Sequence, residues 1–210
     1  MADLKRRLSN PLALAVMVLL YERPMHPYEM AATLRERRKE DSIKLRYGSL
    51  YTVIDLLVKS GFIAEKKTTR DGNRPERTIY EITKSGETEM RDWLREILST
   101  PVIEYPQFEA GLSLLPALPI DEAVGVLETR VEFLRKDIEQ VKNGLDQAKA
   151  MNLPPLFSIE TEYRLAGVRT ELSFVEDLID RIQKDGCGFL KEWKKWHADR
   201  APKKSKAVRR

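Results

Sequence analysis

The chain has 210 residues, of which 33% are charged, a net charge of only +4 and one cysteine. That length allows two modest cores. The lone Cys187 excludes an internal disulfide framework and fits a reducing cytoplasm, and so weak a net charge does not by itself mark a nucleic-acid binder. The apolar run from Leu12 to Leu20 is about half the ~20 residues that cross a bilayer. Asp3, Lys5, Arg6 and Arg7 precede it without a small-residue cleavage site, so it is expected to be a buried helix and neither a signal peptide nor a membrane anchor. Asn10 and Pro11 supply its N-cap and first helical residue.

After the turn from Arg23 to Pro27, Tyr28, Ala31 and Leu34 recur at helical spacing, with Glu29, Arg35, Arg37 and Arg38 largely on the polar side. A third helix is expected to open near Gly48 and Ser49, to bury Leu50, Val53, Ile54, Leu57 and Val58, and to stop at Gly61, which suits a left-handed C-terminal cap. With that stripe inward, Ser49, Tyr51, Thr52 and Asp55 lie toward solvent at its start. The residues then alternate from Phe62 to Lys67 and again from Arg77 to Ile82, across a Gly- and Pro-containing tip. This is the pattern of a hairpin. Lys66, Lys67, Arg70, Arg74 and Arg77 give it a basic edge suited to phosphates. Thr83 can cap a fourth helix, expected to return Met90, Trp93, Leu94 and Ile97 to the core.

Helix, turn, helix, helix and basic hairpin follow in the order of a winged helix-turn-helix, in which the N-terminal part of the recognition helix reaches base edges. The expected fold is mainly α with a small β-hairpin wing. Residues 1–100 would form the winged domain, residues 101–198 a helical domain, and residues 199–210 a basic, disordered tail. Charge follows this division: residues 1–98 hold four more basic than acidic groups, residues 99–198 have an acidic excess, and the tail is strongly basic. The tail either attracts phosphate nonspecifically or only aids solubility.

From Pro101 to Pro106 the sequence reads as a linker, followed by a short apolar helix from Phe108 to Leu115 ended by Pro116. Trp93, Tyr105 and Phe108 have two readings. They line a small-molecule cavity at the joint between domains, or they are ordinary aromatic packing. After Asp121, apolar residues step by three and four through Val124, Leu127, Val131, Leu134, Ile138, Val141, Leu145 and Ala148. The same stepping returns after Pro154 and Pro155 in Leu165, Val168, Leu172, Val175, Ile179 and Ile182. Two long helices in an antiparallel hairpin are expected. Each seam can bury the other, while Ile159, Phe174 and Leu178 are left wanting the cover of a second chain. Val131, Leu134, Ile138, Leu165, Val168, Leu172, Val175 and Ile179 are therefore assigned to dimerisation.

No enzyme is expected. His26 and His197 lack a motif-spaced carboxylate or thiol, so no metal site or nucleophilic triad is supported, and no phosphate-binding or dinucleotide glycine motif occurs. No cofactor is expected either. Cys187, between two glycines, is either a plain thiol or a reactive one, and Lys184 and Lys191 do not establish the latter.

Four phrases resemble the PadR family of transcriptional regulators: Pro24 to Met30, Tyr47 to Tyr51, Leu57 to Ile63, and Arg77 to Gly86. Together they are specific, and they lie in the first hundred residues. Pro27 stands where the family usually has glycine, so a differently shaped turn is expected before the second helix. The resemblance implies a homodimeric DNA-binding regulator, usually a repressor, that an effector, expected to be a small molecule, releases from its operator; a symmetric dimer is suited to a near-palindromic site. Carried over, Tyr47, Ser49, Tyr51 and Thr52 start the recognition helix, and Lys66, Arg70, Arg74 and Arg77 lie on the wing. The remainder is similar to the longer members, which add a helical C-terminal domain. The alternative is a winged-helix protein adaptor working through its coiled hairpin, since fold alone does not decide function.

Overall fold

The computed structural model describes residues 10–44, 46–69, 77–184, 188 and 190–198, with the backbone alone at 47, 67–69 and 77. The chain divides after Ile103 into two compact units, each with its own core.

In the first unit, α1 (Pro11–Glu22) starts where Asn10 accepts a hydrogen bond from the Leu12 amide at 3.0 Å, with proline in the first turn. Leu12, Ala13, Val16 and Met17 are fully buried. A helix apolar around so much of its girth belongs at the centre of a domain, and α1 packs against α3, α4 and β2. The second helix, α2 (Pro27–Glu36), begins at the unusual proline itself: His26 is the N-cap, and its Nδ1 accepts from the Tyr28 amide at 3.1 Å. Proline at the first helical position forfeits no hydrogen bond, because that N–H would be an orphan. A short 3-10 turn (Lys39–Asp41) leads on to α3 (Tyr47–Lys59).

Gly61 ends α3 with φ 73°. Its N–H bonds the Val58 carbonyl and the next N–H, of Phe62, bonds that of Leu57, the reciprocal pattern of a Schellman cap. The wing follows as β1 (Ile63–Thr69) antiparallel to β2 (Arg77–Ile82), with a bulge between Glu65 and Lys67. Met25 adds a one-residue bridge to Tyr80 through a pair of backbone bonds of 3.0 and 3.1 Å, which ties the turn before α2 to the sheet. Thr83 then caps α4 (Lys84–Ser99): its hydroxyl accepts from the Gly86 amide and donates to the Gly61 carbonyl at 2.7 Å. One side chain thus joins the end of α3 to the start of α4. Met90 and Trp93 enter the core as expected, but Ile97 is half-exposed. The stripe has rotated outward by the last turn of α4.

The second unit comprises α5 (Gln107–Ser113), a 3-10 turn (Leu115–Ala117), α6 (Ile120–Ala150), a second turn (Pro155–Ser158), α7 (Ile159–Gln183) and α8 (Leu190–Ala198). Pro116 lies inside the first of these turns rather than ending α5. Ion pairs of Arg130 with Glu171 and of Asp137 with Arg164 fix α6 and α7 as antiparallel. The apolar seams close on each other. Ala123, Leu127, Val131, Leu134, Val175, Leu178, Ile179 and Ile182 form one cluster and Ile138, Val141 and Leu165 another, with Val168 and Leu172 half-buried against both. The residues assigned from sequence to dimerisation are therefore used within one chain, because a three-and-four stripe is the same whether its partner is the next helix or another molecule. Leu178, expected to want cover, is buried as well; Ile159 and Phe174 remain exposed.

The helix α8 has no counterpart in the sequence expectations. Leu190 and Trp193 are buried, the Trp193 Nε1–H donates to the Leu118 carbonyl at 2.9 Å, and His197 Nε2 lies 3.0 and 2.8 Å from the carbonyls of Pro116 and Leu118. Two acceptors facing one ring nitrogen place the proton on Nε2.

Candidate nucleic-acid interface

Three helices of the first unit have a side chain at the N-cap that satisfies a first-turn amide: Asn10 for α1, His26 for α2 and Thr83 for α4. The helix α3 does not. Its N-cap is Arg46, no described side chain caps it, and its first turn has no acidic residue. The first regular bond there runs from the Leu50 amide to the Arg46 carbonyl, so the earlier amides, at the positive end of the helix dipole, have no hydrogen-bond partner among the described residues. A methyl group at Gly48 would meet nothing within 4 Å among the described residues, so no other described element packs against that face of the first turn. An uncapped helix start with unpaired N–H groups is suited to a phosphate oxygen.

The side chains around this end have matching chemistry. Tyr51 is half-exposed, Thr52 is exposed and Ser49 is partly covered. The Thr52 hydroxyl donates back to the Gly48 carbonyl at 2.9 Å, so toward a base it offers a lone pair and a methyl group rather than a free proton. Tyr47 lies at the helix start, its side chain outside the described residues. Lys44 and Arg46, which the sequence reading passed over, are exposed just before α3. Cations at a helix N-terminus oppose the dipole, and their placement there makes sense when an anion sits between them and the helix. That misplacement was the available signal. Tyr28, expected on the apolar stripe of α2 with Ala31 and Leu34, is instead 67% exposed on its first turn.

On the wing, Lys66 is exposed and paired with Glu81 at 2.8 Å. An exposed pair of this kind contributes up to about 1 kcal/mol, little enough to be exchanged for a phosphate. The side chains of Lys67 and Arg77, and all of Arg70 and Arg74, lie outside the described residues, as do Cys187 and the basic tail. Two ion pairs bracket α2: Arg23 with Glu29 at its start, and Arg37 with Glu22, gripped through both guanidinium nitrogens at 2.5 and 2.7 Å. The arginine hydrogen bonds hold both carboxyls below the ordinary carboxylate range. Depressed folded-state values mean that the modest stabilisation is present at neutral pH and is lost as acid protonates the two groups.

The three aromatic residues considered for a small molecule are distributed over both units. Trp93 is buried in the first core, Tyr105 is almost fully exposed in the second unit, and Phe108 lies under the Arg130 guanidinium, 3.6 Å from its ring centre. Among the described residues there is no cluster of potential metal ligands, and no helix is long and apolar enough to cross a membrane.

Residues 16–92 match the transcriptional regulator PadR-like family. They form a PadR-like domain. The negative transcriptional regulator PadR of Bacillus subtilis is 21% identical over 178 residues, covering 81% of this chain and 97% of its own. The crystal structure of Bacillus subtilis PadR in complex with operator DNA superposes with a TM-score of 0.67 at 19% identity, over 83% of this chain and 99% of that one. Its complex with p-coumaric acid gives 0.66 at 18% identity, over 82% and 98%. A third structure, smu.1604c of Streptococcus mutans, gives 0.56 at 21% identity, over 81% and 99%. The shared fold thus takes in the helical second unit as well as the PadR-like domain. The matched family is one of transcriptional regulators, not of enzymes.

Proposed function

We propose that this protein is a sequence-specific DNA-binding repressor that acts as a homodimer and is released from its operator by a small molecule. The observation that carries the reading is the start of α3: of the four helices of the first unit it alone has no side-chain cap among the described residues, and it is flanked by Lys44, Arg46 and the exposed Tyr51. Amides and cations there, with the basic residues of the wing, position the protein on phosphates, and Ser49, Tyr51 and Thr52 meet base edges.

Two copies place two recognition helices on a near-palindromic site with half-sites about one helical turn apart, ~10 bp, or a multiple of it. Since the hairpin seams are closed within the chain, the dimer face falls on apolar residues left outside. Val126 and Phe133, seven apart on α6 and 48% and 68% exposed, share one helix face. Phe133→Glu is expected to yield a folded monomer by light scattering, with helical content unchanged. A variant that remains dimeric would place the face elsewhere. A ligand that alters the separation of the two reading heads would release them, because the duplex fixes the half-site distance.

The test is fluorescence anisotropy on DNA from upstream of the protein's own gene, beside a scrambled duplex, at several salt concentrations. Preferential binding with a steep salt dependence is expected. Arg46→Ala should flatten the slope of log K against log salt by about 0.9 for each phosphate that the arginine no longer neutralises, about 1.8 for a dimer, and weaken all sequences alike. Weak, equal binding to both duplexes, together with a genomic selection that returns no site, would overturn the reading in favour of a protein partner.

A further inference from the structure

The second unit holds a cleft of about 450 Å³, within the size range of small-molecule sites, roughly 300–1,000 Å³. Leu112 and Leu115 form one wall, Phe174 of α7 another, and Trp193 and Trp196 of α8 a third. The lining has one ionisable residue, Glu192. The Trp193 N–H is already spent on the Leu118 carbonyl, so that ring adds π surface and no available donor.

Helical geometry sets the sign of the cleft. On α8, at 100° per residue, Glu192 falls on the same flank as Trp196, whereas Lys194 falls on the opposite flank and Lys191 and Lys195 on the back. Arg181, one turn beyond Leu178 on α7, is paired with Asp177 at 3.0 Å. Among the described residues, the cations nearby in sequence on α7 and α8 are thus turned away or ion-paired, and the cleft combines indole faces with a carboxylate.

We propose that this cleft binds a lipophilic aromatic cation, with its ring between Phe174 and the tryptophans and its positive group toward Glu192. Indole faces attract cations through their quadrupole, and the carboxylate adds a direct charge interaction. Aromatic acids, the class to which the p-coumaric acid of the Bacillus subtilis complex belongs, are disfavoured here by repulsion from Glu192. Binding rests on the geometry of the second unit alone; use of the cleft as a regulatory input rests on the repressor reading above.

The experiment is isothermal titration calorimetry of the full-length protein with three matched probes: 2-naphthylmethylamine, 2-naphthylmethanol and 2-naphthoate. The cation is expected to bind about fivefold or more tightly than the alcohol, and the anion most weakly. Glu192→Gln should bring the cation down to the alcohol, whose affinity is unchanged. If Glu192 serves only the dipole of α8, probe selectivity will survive that variant and the proposal falls. Leu112→Trp, which fills the cleft, should abolish binding of all three. Equal affinities in the wild-type protein would overturn the charge assignment. No binding of any probe, with Leu112→Trp weakening the dimer, would overturn the site and assign the cleft to a second copy. DNA affinity is measured separately, so failure of the cleft leaves the DNA-binding reading standing, and the reverse.

Discussion

Replacing Gly86 by alanine is expected to destabilise the PadR-like domain by about 3 kcal/mol or more, toward the severe end of overpacking substitutions. Gly86 is buried in the first turn of α4, and a Cβ there would lie 2.0 Å from the Phe62 carbonyl oxygen, and 2.9 Å from both its carbon and Ile82 Cγ1. The first obstacle is backbone, and it is held on every side. The Phe62 carbonyl accepts the Thr83 amide at 3.0 Å, and the neighbouring Gly61 carbonyl accepts the hydroxyls of Thr83 and Ser85 at 2.7 and 2.9 Å. Relieving the clash means separating the start of α4 from the end of α3, the proposed recognition helix. A loss of this size lowers the melting midpoint of a domain of this length by about 12 °C or more. Hydrogen exchange resolved by segment is the suitable measurement, because protection should fall in α3 and α4 and persist in α6. Gly125→Ala and Gly167→Ala are the controls: both lie within long helices with nothing within 4 Å of the new methyl, and each should stabilise by up to about 1 kcal/mol. If Gly86→Ala melts like these two, the close approach of α4 to the wing does not matter to stability.

The elements of this fold that were legible in the sequence are those whose signals are local. Asn10 and Pro11 announced α1, Gly61 the end of α3 and Thr83 the start of α4, since each cap is a bond or a dihedral within a few residues. What escaped depended on partners far along the chain. The helix α8 has Leu190, Trp193 and His197 at helical spacing, but what secures it are the carbonyls of Pro116 and Leu118, more than seventy residues earlier. The α6 and α7 seams were visible, yet their pattern does not say whose helix covers them. At the candidate interface the exposed hydroxyl face of α3 could be read from periodicity. The uncapped helix start could not, because it became informative only beside the capped starts of α1, α2 and α4.

Val175→Asp is expected to unfold the second unit and thereby expose what that unit contributes to DNA binding. Val175 is fully buried among Ala123, Leu127, Leu178 and Ile179, and burying an unpaired carboxylate costs about 3–5 kcal/mol. The first unit has its own core, so circular dichroism should lose the signal of α6 and α7 and retain that of α1 to α4. Acid provides an internal check on the cause. Burial raises the folded-state pKa of the new carboxyl above its unfolded value, so the penalty is full above the folded value and shrinks as pH falls toward the ordinary carboxylate range. Val175→Asn, which does not titrate, should show no such recovery. If the second unit holds two reading heads together, Val175→Asp leaves single heads that engage one half-site each. Operator affinity then falls by at least about tenfold and the salt slope drops to about half. Phe133→Glu should give the same binding defect with the hairpin intact, separating loss of assembly from loss of fold. Wild-type affinity and slope in Val175→Asp, with its hairpin demonstrably unfolded, would mean that the PadR-like domain reads DNA alone, and the homodimer would be the part of the mechanism to abandon.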